Sequence, residues 1–156
     1  MSEITFRLAT ANDVDVMVHH RCAMFAEMGL GNESTLKRMN TEFHTWALDH
    51  LANGTFWTWF ACDGDKIVCG VGVYVLDWPA GPTEDSTPRA YIYNVYTETD
   101  YRRQGIARRL MEHVLADLRE RGFRTIGLHA SDFGRKLYEN LGFKPTNEMR
   151  LVLGNK

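Results

Sequence analysis

Several things are scarce in this chain, and each scarcity removes a class of protein. Of 156 residues only three are cysteine, Cys22, Cys62 and Cys69. An odd number at irregular spacing is no disulfide framework, and a reducing cytoplasm is the expected home. No C-x-x-C or H-E-x-x-H spacing occurs, so no metal is expected. No apolar run approaches the roughly 18 residues a membrane helix needs. The N-terminal "MSEITFRLAT" lacks the apolar core of a signal peptide. Positive charge is not in excess either. The formal net charge is -2, which argues against a general nucleic-acid binder. No linker, low-complexity tract or internal repeat breaks the sequence. The length fits one domain, 1–156, with a core of its own.

What is present reads as alternating strands and helices. "ITFRLA" (4–9) alternates like a strand. Thr10 is placed to cap a helix whose first turn holds Asp13 and Asp15, and whose apolar positions run from Val14 through Phe25 to about Met28. "GLGN" breaks it. A second helix is expected from about Ser34 to Leu51, ended by Asn53-Gly54. Three strand-like runs follow: "TFWTWFAC", "KIVCGVGVYVL" and "RAYIYNVYT". "DGD" makes a hairpin turn between the first two, and "DWPAGPTEDSTP" (77–88) is a long loop before the third. An amphipathic helix is expected from Gln104 to about Arg121, with Ala107, Leu110, Met111, Val114 and Leu118 as its stripe. Then come a strand "FRTIGLHA", a short helix "SDFGRKLYENLG" stopped by Gly142, and a last strand "NEMRLVL". The order β-α-α-β-β-β-α-β-α-β implies an α+β domain with a mixed sheet. The third strand of the meander and "TIGLHA" should be parallel neighbours across a helical crossover.

The stretch "YRRQGIA" puts free backbone N–H groups at a helix N-terminus, where the helix dipole favours negative charge. Gly105 lets an anion reach the backbone, and Arg102, Arg103 and Arg108 add full charges. The physical reading is a phosphate or pyrophosphate site. The G-x-x-x-x-G-K-S/T pattern of a P-loop is absent. "VCGVGVYV" contains G-x-G, but the run continues as strand with no helix after it, so a dinucleotide site is rejected.

"RRQGIA" resembles the Q/R-x-x-G-x-G/A signature of the GNAT superfamily of acyl-CoA N-acyltransferases, with Arg102, Gly105 and Ala107 at the matching positions. "LYENLGF" (137–143) resembles that family's second signature. The element order is similar as well, and the resemblance is strongest over residues 91–143. It implies a three-layer α/β/α domain with a central mixed, mostly antiparallel sheet, splayed between its fourth and fifth strands. It also implies acetyl-CoA as co-substrate. The pantetheine arm would pair with the backbone at Val95 and Thr97. Amides of Arg103, Gln104, Gly105, Ile106, Ala107 and Arg108 would hold the pyrophosphate. Ser131 stands where many relatives have Asn, and its hydroxyl has a shorter reach.

Acetyl transfer needs a neutral amine, donors for the developing oxyanion and a proton for the leaving thiolate. Tyr138 lies where the family commonly has its tyrosine acid. It can instead simply pack. No general base is obvious. Glu84, Asp85, Asn94 and His129 are the candidates, and water can serve for an acceptor of low pKa. Asn94 stands out because strands are poor in Asn. Its side chain should face opposite Val95, into a cavity or into a satisfied buried amide bond. The substrate wall is expected from the first two helices and the 77–88 loop, with Phe25, Met28 and Trp78 as lining residues. Phe133, Leu137 and Leu141 are expected in the core. The implied function is an N-acetyltransferase acting on a small-molecule primary amine by direct attack in a ternary complex. A protein amine as acceptor, or a non-catalytic acyl-CoA sensor, remain as alternatives. Homodimers are common in the family, and the sequence shows no interface of its own.

Overall fold

The computed structural model describes residues 3–82 and 88–154. Its elements are β1 (Ile4–Leu8), α1 (Val14–Glu27), α2 (Glu33–Ala52), β2 (Phe56–Asp63), β3 (Lys66–Leu76), β4 (Arg89–Thr97), α3 (Ile106–Glu120), β5 (Ile126–Leu128) and α4 (Arg135–Asn140). The five strands form one sheet in sequence order. Neighbours are antiparallel except β4 and β5, which are parallel.

Local chemistry sets the boundaries. Thr10 and Asp13 form a reciprocal capping box on the 3-10 turn that leads into α1. Asn32 and Thr35 do the same for α2. α4 ends in a Schellman motif, with Phe143 N–H donating to the Tyr138 carbonyl and Gly142 N–H to that of Glu139, both at 3.0 Å. Asp117 and Arg121 pair at 3.0 Å on α3.

Alternation along the strands divides the core in two. Trp59, Ala61, Val71 and Val73 pack with Ile106, Leu110, Met111, Val114 and Leu118 of α3 and with Tyr138 of α4. Phe56, Phe60 and Cys62 pack on the other face with Val14 and Met17 of α1 and Phe43 and Ala47 of α2. The result is the expected α/β/α layering. The two glycines in "VCGVGVYV" face α1 and α2. A Cβ on Gly70 would lie 2.8 Å from His20 Nδ1, and one on Gly72 would lie 3.1 Å from the Phe56 ring. These glycines make room for aromatic rings, which is why a G-x-G sits in a strand.

Three expectations need correction. The last strand, 147–153, does not form. Met149, Leu151, Val152 and Leu153 are 78–98% exposed, and among the described residues this tail pairs with no strand of the sheet. β5 has three residues, because its pairing with β4 ends at Ile92↔Leu128. Phe133 is 91% exposed instead of core. It sits in the turn before α4, so the helical spacing to Leu137 does not apply to it. Leu137 and Leu141 do pack against the core. Glu84 and Asp85 lie outside the described residues. No helix among the described residues is long and apolar enough to cross a membrane.

His20 is 1% exposed and lies under Tyr96 and Phe60. Burial pushes its pKa down to about 4, against the opposing pull of Glu98, with His19 adding to the depression. In the unfolded chain it takes up its proton near pH 6.5. The unfolded state therefore binds more protons as pH falls from about 6.5 to 4, and the stability present above that window is lost through it. Thermal melts should show Tm falling by several degrees across the window in the native protein. His20→Gln should have a lower Tm at pH 7 and a flatter slope between pH 6.5 and 4. An equal slope in both would overturn this account.

Candidate functional site

β4 and β5 separate after Ile92↔Leu128. The register between β3 and β4 runs Gly72↔Tyr93 and then Gly70↔Tyr96, so Asn94 and Val95 together oppose one residue. This is a β-bulge, and Asn94 holds it with φ of 54°. That is the left-handed region, which Asn tolerates better than most side chains. The bulge also exchanges the faces of β4. Tyr93 borders the α1/α2 layer before it, and Tyr96 meets His20 and Glu27 of that layer after it. Asn94 points to α1, while Val95 packs with the α3 core. Asn94 is thus on the face opposite Val95, as its position in the sequence implies.

The gap left by the parting strands is a cleft of about 1120 Å³. Its floor is β4 from Tyr91 to Thr97. One end is the N-terminus of α3, one wall is the C-terminal half of α1, and the other is formed by residues 128–138. At the α3 end the backbone N–H groups of Arg103 through Arg108 donate to no backbone or side-chain acceptor of the described residues. Gly105 is the N-cap, with φ of 73° and no capping side chain. A Cβ there would meet nothing within 4 Å, so the requirement for glycine is the left-handed backbone. Arg103 is left-handed as well, with φ of 63°.

The arginines divide in their roles. Arg102 forms a fork with Glu27, at 2.8 and 2.9 Å, and its Nε donates to the Thr97 carbonyl at 2.9 Å. The Glu27 carboxylate holds the Arg102 pKa up, and Arg102 holds that of Glu27 down. Arg102 therefore ties the loop to α1. Its guanidinium is committed before any anion arrives. Arg108 pairs with Glu112 at 2.9 Å. Gln104 folds back onto the Asp100 carbonyl at 3.1 Å. The backbone, more than the arginine side chains, makes this end attractive to an anion.

Tyr138 projects from α4 into the cleft lining and is 8% exposed. Burial, with Cys69 nearby, pushes its pKa up to about 12. Its ring lies against Gly134, where a Cβ would come within 2.7 Å of it. Ser131 lines the same wall, and its Oγ accepts the Gly134 N–H at 3.2 Å. Thr97 donates its hydroxyl to Cys69 Sγ at 3.2 Å. His129 lines the cleft too, but both ring nitrogens are engaged, Nδ1 with Tyr91 Oη and Nε2 with the Arg150 guanidinium. An arginine can only donate, so Nε2 accepts and Nδ1 carries the ring proton.

Met24, Phe25 and Met28 of α1 line the cleft, as does Ile106 beyond them. Trp78 lines neither cavity described here. Its ring stacks on the Arg89 guanidinium, 4.1 Å from centroid to Cζ. A second cavity of about 400 Å³ adjoins the first between α1, α2 and the sheet. Arg21 and Tyr93 line both. These two are the residues sequence reasoning missed. Arg21 falls among apolar helix positions, and the only advance signal was a charge on the side of α1 that also carries Met24, Phe25 and Met28.

The description "Acetyltransferase (GNAT) family" matches residues 18–143. The chain belongs to that family. A GCN5-related N-acetyltransferase from Ralstonia eutropha JMP134 has a similar structure, with a TM-score of 0.89 and 34% identity over 97% of this chain and 99% of that one. A Clostridium acetobutylicum protein, described as a predicted acetyltransferase with acetyl-CoA, superposes with a TM-score of 0.88 at 26% identity, covering 97% and 96%. Among characterised sequences, the [ribosomal protein bS18]-alanine N-acetyltransferase of Escherichia coli K12 is 42% identical over 57 residues. That match is 35% of this chain and 38% of the enzyme's length. The family uses acetyl-CoA as co-substrate, and the cleft suits it. Unpaired amides at one end match a pyrophosphate, and a strand edge without a neighbour leads from them toward Tyr138. No cluster of His, Cys, Asp or Glu that could hold a metal occurs among the described residues.

Gly105→Glu introduces a side chain at a left-handed position and a negative charge where the amides converge. Calorimetry should show micromolar acetyl-CoA binding to the native protein and a loss of at least about 100-fold in the variant. Retained affinity would remove the pyrophosphate from this helix end.

Proposed function

We propose that this protein transfers an acetyl group from acetyl-CoA to a primary amine of a small molecule, by direct attack with both substrates bound. The observation that carries the reading is the run of unpartnered amides from Arg103 to Arg108, set beside a β4 edge that no strand covers. Acetyl-CoA brings the thioester, and the chain supplies position, donors and proton handling. The amides and Gly105 receive the pyrophosphate. Val95 and Thr97, on the free edge, align the pantetheine arm, and Ser131 faces it from the opposite wall.

Tyr138 is the proton donor to the departing thiolate. With a pKa near 12 it keeps its proton throughout the neutral range. A coenzyme thiol of pKa about 8.5 is a mediocre leaving group, and protonation in step with departure helps most near neutrality. His129 is a positioning group for the cleft wall. Its Nε2 lone pair already accepts from Arg150, so it holds no site for the amine's proton. Water takes that proton. The cost follows the acceptor's pKa: roughly a tenth of a peptide-type α-amino group is neutral at pH 7, and under about a thousandth of a lysine.

The reading is tested by thiol release from acetyl-CoA against a panel of primary amines. Tyr138→Phe should lower kcat by about 100-fold or more while acetyl-CoA affinity by calorimetry stays within about twofold. The value of kcat/KM should rise with the neutral fraction of the acceptor amine and show no falling limb below about pH 10, since Tyr138 has not yet ionised. An unchanged kcat in the Phe variant would remove Tyr138 from the chemistry. Acetyl-CoA binding without turnover of any amine would favour a sensor.

A further inference from the structure

The second cavity shows what kind of amine it suits. Its walls are mostly aromatic, Phe43, Trp46, Phe56, Tyr74 and Tyr93, with Met39 and Glu42 beside them. The Glu42 side chain is largely exposed, 3.9 Å from Arg38 Nε. Where it opens into the main cleft stands one cation, Arg21. The Arg21 guanidinium donates to Asn94 Oδ1 at 2.6 Å. Its Cζ lies 4.9 Å from the Phe25 ring centroid and 5.0 Å from that of Phe43. Its Nε is buried and has no hydrogen-bond partner. Among the described residues no carboxylate pairs with it. A part-buried guanidinium with neutral neighbours and a buried, orphaned Nε donor is costly unless a negative group completes it. Its planar fork suits a carboxylate. Asn94 adds to this. With Oδ1 turned to Arg21, its amide nitrogen is a further donor, and none of the described residues accepts from it.

We infer that Arg21 anchors the carboxylate of the acceptor, and that the acceptor is a free α-amino acid with an apolar or aromatic side chain. This rests on the acetyltransferase reading above. A single cation with no carboxylate paired to it balances a single negative charge, which favours a carboxylate over a phosphate dianion. Position argues for the α-carbon. Arg21 bonds directly to the bulge residue of the strand that floors the cleft, so the anion sits beside the reacting amine and not at the far end of the ligand. The aromatic cavity then receives the side chain. A protein N-terminus or lysine has its neighbouring carboxyl tied up in a peptide bond and leaves Arg21 unpaired.

The test compares L-phenylalanine, L-tryptophan, L-methionine and L-leucine with their carboxamides and their decarboxylated amines, following thiol release from acetyl-CoA. Native protein should prefer the acids by roughly 10- to 100-fold in kcat/KM, mainly through KM. Arg21→Met should collapse that ratio, and Arg21→Lys should keep part of it. Calorimetry with acetyl-CoA shows whether each variant is folded and loaded. The native ratio is informative even if Arg21→Met does not fold. Equal use of acids and amides by the native protein overturns the inference, as does a preference that survives in Arg21→Met. Acetyl-CoA binding with no turnover across the panel overturns this acceptor class alone. No acetyl-CoA binding at high micromolar concentration overturns the acetyltransferase reading itself, and this inference with it.

Discussion

Everything at this site depends on β4 having one residue too many at Asn94. A strand with regular pairing on both sides would have no exposed edge and no cleft. The bulge bends β4 just where β5 stops, and it turns the strand's faces over. Val95 then belongs to the α3 core, and Asn94 to the α1 layer. The separation between strands is therefore not a defect in the sheet. It leaves β4 bordered by two adjoining cavities.

Two further contacts keep that arrangement in place. Arg102 joins the loop before α3 to the last turn of α1 through Glu27, and to the end of β4 through the Thr97 carbonyl. The pair is partly exposed, so its contribution to stability is modest. Its value is geometric, because it ties the α3 N-terminal end of the cleft to the wall that carries Phe25 and Met28. On the opposite wall, Gly134 leaves room for the Tyr138 ring, and the Schellman stop after α4 sets the helix that presents it.

Most of the fold was legible in the sequence. β3 and β4 lie where their β-branched runs predicted, and the caps at Thr10, Asn53 and Gly142 mark real boundaries. The start of α3 was legible too, because a glycine N-cap and free amides at a helix start are local features. The failures were not local. "NEMRLVL" has a strand's composition, but a strand also needs a neighbour, and no spacing in the sequence reports one. Phe133 matched a helical repeat that begins two residues too late to include it. The Arg102 ion pair was not legible, since its partner Glu27 lies far away in sequence. Arg21 was invisible for the same reason: its importance comes from what does not surround it, and only the folded chain reveals that. Asn94 was noticed as odd, although its cause, a left-handed bulge, was not.

The paired glycines of β3 have a consequence beyond their own positions. Along this strand one face is limited by lack of room and the other by need for bulk. Phe56, Phe60 and His20 press on Gly70 and Gly72, while Val71 and Val73 fill space beneath α3. Sliding the strand by a single residue would drive branched side chains into the rings and leave hollows on the other side. Volume thus works as a ratchet that admits one alignment of the central strand. The offset that creates the bulge in β4 is measured against a neighbour that cannot slip.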